Sequence, residues 1–408
     1  MSRLIDPTWR SRAPRLRHVA PFDGMRGFGV LGVMGGHALA QGTLSFAAIV
    51  GVFFVVSGFL ITTLLLQEHS NTGTIALRKF YARRVFRLLP ALYVMLAGSI
   101  VAGVIVKASG HMSGAQTLKG LLTEVAAAGV YVYNIVFPVN NGPWIDHLWT
   151  LSVEEQFYLV VGVVALVFIV RGGVRLVALG LLALVAVIQI SRFFLVPGPL
   201  GTAAVAMWMQ RPDALMIGML AAIASAHVPD PLPERFSRWL GRAGWVATIA
   251  LFATTWVSTG VAQRLGIHHD FYPENFRTLL DTGTRPHGFY WIQWGHTVGA
   301  WASAVIVLCA FRLPNWWPNR FLSWKPLVKI GGMLSYSLYL WHVPVQELLR
   351  IVAGDLPRPL WLALAVGVPF LVAIPSYRFI ETRALAFKDR FAVKSGSRSE
   401  GALSEGSA

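Results

Sequence analysis

Apolar residues run in long unbroken blocks, and the polar residues gather in the short stretches between them. Ten blocks are long enough to span a bilayer, at about 22–42, 46–67, 88–106, 150–170, 175–196, 205–227, 243–260, 290–311, 328–352 and 359–380. An eleventh, about 118–138, is interrupted by Glu124, Asn134 and a run of alanines. Hydrocarbon offers no hydrogen-bond partners, so each block has to satisfy its own backbone, which predicts helices. The pattern therefore predicts an all-α, polytopic integral membrane protein. Residues 1–21 carry five arginines and no apolar core, and the block after them lacks a small-residue cleavage site. That block is expected to be a retained first transmembrane helix and not a signal peptide.

Charge sets the orientation. The 408 residues are 55% apolar and only 13% charged, with a net charge of +16. Mean hydropathy is +0.57. These values exclude disorder, coiled coil and a soluble nucleic-acid binder, so the basic residues are read as topology signals. With 118–138 kept out of the count as a re-entrant or surface helix, 25 of the 35 Lys and Arg fall on the N-terminal side and six on the other. Ten spans with both termini cytoplasmic fit that bias. Residues 1–21 then form a basic cytoplasmic segment and 386–408 a cytoplasmic, disordered tail, Ser/Gly-rich from Lys394 onward. The single cysteine, Cys309, excludes an intramolecular disulfide and a thiolate metal cage.

Ionisable residues inside such blocks are costly and mark candidate sites. Arg26 and His37 are 11 residues apart in DGMRGFGVLGVMGGHA. On an α-helix they share one face, roughly 16 Å apart along the axis. Glycines 27, 29, 32, 35 and 36 let a neighbouring helix or a ligand approach. A snorkelling Arg and a hydrogen-bonded core His explain the same pattern equally well. Arg84 and Arg87 lie one turn apart in RKFYARRVFRLLPAL, a pair suited to a phosphate or pyrophosphate, although basic runs at membrane surfaces more often serve as topology anchors. HLWTLSVEEQFYL brings Glu154 and Glu155 to the outer end of a block, where adjacent side chains point about 100° apart and at most one shares a face with His37. Trp149, Phe157 and Tyr158 read as interfacial aromatics. RPDALMIGMLAA buries Arg211 and Asp213, to satisfy each other or another charge. SYSLYLWHVP aligns Ser335, Tyr339 and His342 on one face as a structural polar seam. His268, His269 and Asp270 lack a helical ligand spacing, and no metal site is expected there.

In order, DGMRGFGVLGVMGGHA, GVFFVVSGFLIT, FYARRVFRLLPA, HLWTLSVEEQFYL, RPDALMIGMLAA, GMLSYSLYLWHVPV and SYRFIET resemble acyltransferase family 3, whose members move acyl groups onto sugars and other hydroxylated acceptors. The resemblance covers nearly all of 22–382 and implies a transmembrane domain of that type over 22–385, with about ten spans. It implies importance for the Arg26–His37 pair and the Arg84–Arg87 pair. Thr150 stands where the commoner form of its block has serine, and keeps the hydroxyl. Some members add a periplasmic hydrolase-like domain; with a short tail here, no relay to such a domain is expected.

The expected activity is O-acyl transfer, with acetyl as the group the resemblance implies, in a bacterial inner membrane. The co-substrate is cytoplasmic acyl-CoA, with no permanently bound cofactor. The partners are a sugar, glycan or glycolipid hydroxyl in the cell envelope and the lipid bilayer, with no nucleic acid. Arg84 and Arg87, with Arg26, would hold the CoA phosphates, His37 would act as general base, and Glu154 or Glu155 would orient its imidazole. No Ser–His–Asp or Cys–His constellation is visible, and a covalent acyl-enzyme is the less favoured route. A proton-coupled transporter or flippase is the competing reading, because buried ionisable groups in a bundle serve that role too.

Overall fold

A computed structural model of the chain describes residues 5–6, 8–39, 47–112, 117–137, 144–195, 211–258, 271–272, 289–354 and 356–388. Helix dominates them. The principal helices are α1 (Ala20–Leu39), α2 (Ala47–Thr72), α3 (Leu77–Ala108), α4 (Leu118–Gly129), α5 (Trp149–Val164), α6 (Val174–Leu195), α7 (Pro212–His227), α8 (Glu234–Ser258), α9 (Trp291–Arg312), α10 (Ser335–Ala353) and α11 (Arg358–Ser376). A two-residue parallel ladder pairs Phe271–Tyr272 with Phe289–Tyr290. Over the described residues, each of the ten long apolar blocks overlaps one of these helices. Six of them are long and apolar enough to cross a membrane: α2, α3, α6, α9, α5 with its flanking turns, and α11 with its extension to Phe387. Of the other four, α7 is 16 residues long, α1 and α8 mix polar residues and glycine into the apolar run, and α10 mixes in polar residues. The tail beyond residue 388 and the His268–His269–Asp270 stretch lie outside the described residues.

The interrupted block at 118–138 forms the 12-residue α4, about 18 Å long and short of a hydrocarbon core of roughly 30 Å. Thr117 caps it, its hydroxyl accepting from the Gly120 N–H at 2.9 Å. Glu124, one of the residues that break the apolar run, is fully buried. One of its oxygens accepts from Tyr133 OH at 3.1 Å and from the backbone N–H of Ile145 at 3.0 Å. It thereby staples the chain that leads into α5.

Helices α2 and α9 are buried along more than half their length, α6 and the α11 segment along less than a quarter. The inner helices meet backbone to backbone. A Cβ on Gly58 of α2 would lie 2.1 Å from the Leu215 carbonyl of α7, and one on Gly218 of α7 would lie 2.2 Å from the Val55 carbonyl of α2. Small residues are what permit such contact in lipid, where helices gain no hydrophobic advantage by touching. The first turns of α1 do the same against the chain before α10: a Cβ on Gly27 would be 2.2 Å from the Leu327 carbonyl. Of the glycines on α1, 27, 29 and 32 thus serve packing, whereas Gly35 faces open space.

Candidate active site

Helices α1, α2, α3, α5 and α10 enclose a cavity of about 270 Å³. Its basic wall is formed by Arg26 from α1 and by Arg84 and Arg87 from the start of α3. Arg84 is already committed. Its Nη2 lies 2.5 Å from Glu155 Oε1 and its Nε 3.3 Å from Oε2, and the guanidinium stacks 3.4 Å from the Tyr158 ring centre. Arg87 is exposed, and its side chain makes no hydrogen bond among the described residues. Arg26 pairs only loosely with Asp23, at 3.7 Å. Opposite, Glu154 accepts hydrogen bonds from Ser57 of α2 and from Tyr158. Burying a carboxylate demands such donors, so the two adjacent glutamates are satisfied by different helices. At its far end the cavity meets a hydroxyl pair, Thr150 and Tyr339, which bond each other while Tyr339 OH donates to the His147 carbonyl.

Beyond Tyr339 stands a group of three imidazoles. The rings of His147 and His342 are 4.9 Å apart, those of His342 and His37 5.2 Å, and both pairs meet edge to face. His147 and His342 are buried, and His37 is half-buried. Pro344 explains part of this arrangement. It has no N–H to give the Leu340 carbonyl four residues back. That carbonyl is the one His147 Nε2 reaches, at 3.3 Å. The end of α1 is secured from outside, where Arg350 donates to the His37 carbonyl at 3.1 Å and Trp361 to the Ala38 carbonyl at 2.7 Å. The last carbonyls of a helix have no partners of their own, so these two donors pin the turn that carries His37.

A family model described as "Acyltransferase domain", for the third acyltransferase family, matches residues 19–378, most of the chain. The chain belongs to acyltransferase family 3. Relatives of this acyltransferase domain include the peptidoglycan O-acetyltransferase OatA of Listeria monocytogenes, 29% identical over 392 residues that cover 90% of this chain and 56% of that protein. The O-acetyltransferase OatA of Staphylococcus aureus is 28% identical over 400 residues, covering 90% of this chain and 57% of that protein. The chain thus spans a little over half the length of the curated relatives it matches. No solved structure shows a significant match.

The acyltransferase domain distributes its sequence-predicted residues over two layers and one separate cluster. Arg26, Arg84, Arg87, Glu154, Glu155, Ser335 and Tyr339 line the cavity, whereas His37 and His342 meet in the ring layer beyond. The expected carboxylate behind His37 is not what the fold provides: Glu154 is bonded to Ser57 and Tyr158 and Glu155 to Arg84, and the group against His37 is the His342 ring. Tyr158 is not an interfacial aromatic either. It is 1% exposed, with the Arg84 guanidinium on its face, and Trp149 is buried under Arg211, 5.3 Å away. Asp213 pairs with Arg192 and not with Arg211. Ser335 donates to the Gly331 carbonyl at 2.6 Å, a local bond to the turn that leads into α10.

Sequence reasoning passed over Ser57, His147, Arg192 and Arg350. Two signals for them were present: the Pro two residues after His342, which frees a carbonyl, and the lone Arg at each of two span ends.

Proposed function

We propose that the chain is a multi-pass O-acyltransferase of the bacterial inner membrane that moves an acetyl group from cytoplasmic acetyl-CoA to a hydroxyl of a cell-envelope glycan. Ten spans, α1–α3 and α5–α11, place both termini in the cytoplasm, a reading supported by the 25-to-six bias of Lys and Arg. The observation that carries the proposal is the cavity itself. It joins a guanidinium wall to a Tyr339 ring that packs 5.6 Å from His342, the neighbour of His37. The names of the OatA relatives support acetyl as the group and a glycan as the acceptor.

In this reading Arg26 and Arg87, whose guanidinium groups are not consumed by a strong ion pair, take the CoA phosphates. Glu155 and Tyr158 hold Arg84 rigid beside them. The pantetheine arm runs along the apolar wall of Val33, Phe53 and Phe54 and brings the thioester toward Tyr339. His37 removes the proton of the acceptor hydroxyl as the oxygen attacks the thioester carbonyl. The C–S bond breaks, and the proton returns to the departing CoA thiolate.

The test is release of CoA thiol from radiolabelled acetyl-CoA by membranes carrying the protein, with and without an envelope-glycan extract. Acceptor-dependent release with label in the glycan fraction is expected. No release across a panel of acyl-CoAs by folded protein overturns the proposal. Arg87→Ala is expected to raise KM for acetyl-CoA about 10- to 100-fold, the value of one or two charge-assisted contacts, with KM for the acceptor unchanged. An unmoved KM for acetyl-CoA assigns Arg87 to topology and anionic lipid instead.

A further inference from the structure

His342 is the group the expected mechanism leaves without a task, and it occupies the place where a carboxylate was expected. It is fully buried, its ring 5.2 Å from that of His37 and inclined at 65° to it. Its Nδ1 lies 2.7 Å from the Tyr339 carbonyl oxygen. A carbonyl only accepts, so the ring proton of neutral His342 sits on Nδ1, and Nε2 presents a bare lone pair. That Nε2 is buried and has no hydrogen-bond partner among the described residues. His147 repeats the logic in mirror form. Its Nε2 faces the Leu340 carbonyl, which puts the proton there and leaves Nδ1 bare, buried and without a partner. A buried acceptor without a donor is costly, and the fold holds two of them within one ring layer of His37.

We infer that His342 is a positioning and proton-accepting partner of His37, so that the acceptor proton moves along two imidazoles in place of an imidazole and a carboxylate. The inference rests on the reading of His37 as general base. As the acceptor oxygen attacks, its proton passes to one nitrogen of His37, and the N–H on the opposite nitrogen passes to His342 Nε2. His342 then carries both ring protons, with Nδ1–H still held by the Tyr339 carbonyl. When the C–S bond breaks, the same two transfers run in reverse and the thiolate leaves as thiol, so no co-reactant is needed. The arrangement has a physical advantage in this setting. Two neutral rings bury no charge at rest, whereas a carboxylate behind His37 would impose a desolvation cost before any substrate arrived. Three of the other ionisable side chains nearby are already engaged: Arg350 with Glu347, Glu155 with Arg84, Glu154 with Ser57.

Two variants separate this role from packing. The amide of His342→Asn can still donate to the Tyr339 carbonyl, and that of His342→Gln reaches toward the Nε2 position, yet neither takes up a proton. Both are expected to lower kcat about 100-fold, with KM for acetyl-CoA unchanged and the melting temperature in detergent close to that of the parent protein. The rate of the parent protein in mixtures of light and heavy water is expected to curve with deuterium fraction, as for two protons in flight, and that of His342→Asn to become linear. Parent-like kcat in either variant overturns the inference, and so does a slowed, well-folded variant whose curve is unchanged. Both of those outcomes leave acetyl transfer standing, whereas absence of CoA release by the parent protein removes the general-base reading and this inference with it.

Discussion

His37→Ala and His37→Gln are each expected to reduce transfer at least 100-fold, and up to about 10,000-fold, while the protein still inserts and folds. The folding half of this expectation comes from how α1 is held. At its C-terminal end Arg350 and Trp361 bond the carbonyls of His37 and Ala38, contacts that depend on backbone and not on the imidazole. At its N-terminal end Gly24 and Gly27 lie directly against the backbone of Leu322 and Leu327. Removing the ring therefore leaves the helix in place. Glutamine is the informative variant, because it retains hydrogen bonding and loses only the capacity to take a proton. Turnover by His37→Gln near the parent rate in the CoA-release assay would remove the general-base role and leave His37 a packing residue.

Asp213→Ala is expected to be the most damaging substitution for stability. Its carboxylate receives Arg192 through two nitrogens, at 2.9 and 2.6 Å, and the side chains of the two residues are 1% and 0% exposed. Gln189 adds a third donor at 3.2 Å. The pair ties α6 to α7 at a position closed off from solvent. Removing the aspartate takes the opposing charge from a buried guanidinium, a loss of about 3–5 kcal/mol in proteins of known energetics. Thermal unfolding in detergent measures it, and a melting temperature equal to that of the parent would show that the pair carries no such load. The double variant Arg192→Leu with Asp213→Leu is expected to recover much of the loss, because breaking such a pair costs far more than replacing it whole.

Helical membrane character was legible because its signals are local, and acyltransferase character because seven ordered blocks resemble a known family. Length of apolar block and the one-face relation of Arg26 to His37 both follow from positions along one helix. The same locality placed Glu154 and Glu155 on different faces, since neighbours on a helix diverge by about 100°. It did not say what each would meet. Their partners, Ser57 and Arg84, lie 97 and 71 residues away, on α2 and α3. Asp213 shows the same limit: Arg211 is two residues away in sequence, and Arg192 is the partner in space.

By itself, then, the sequence determined a helical membrane protein, the family to which it belongs, and the set of polar residues that have to be explained. Tertiary structure alone decided the pairing of those residues. The reason is physical. Helix formation and membrane insertion depend on sums over one segment, and neighbouring residues contribute to them independently. Which buried groups meet depends on the rotation and depth of each helix against its neighbours. Those are settled by contacts such as Gly58 on Leu215 and by the carbonyl that Pro344 leaves free for His147, which no single segment contains.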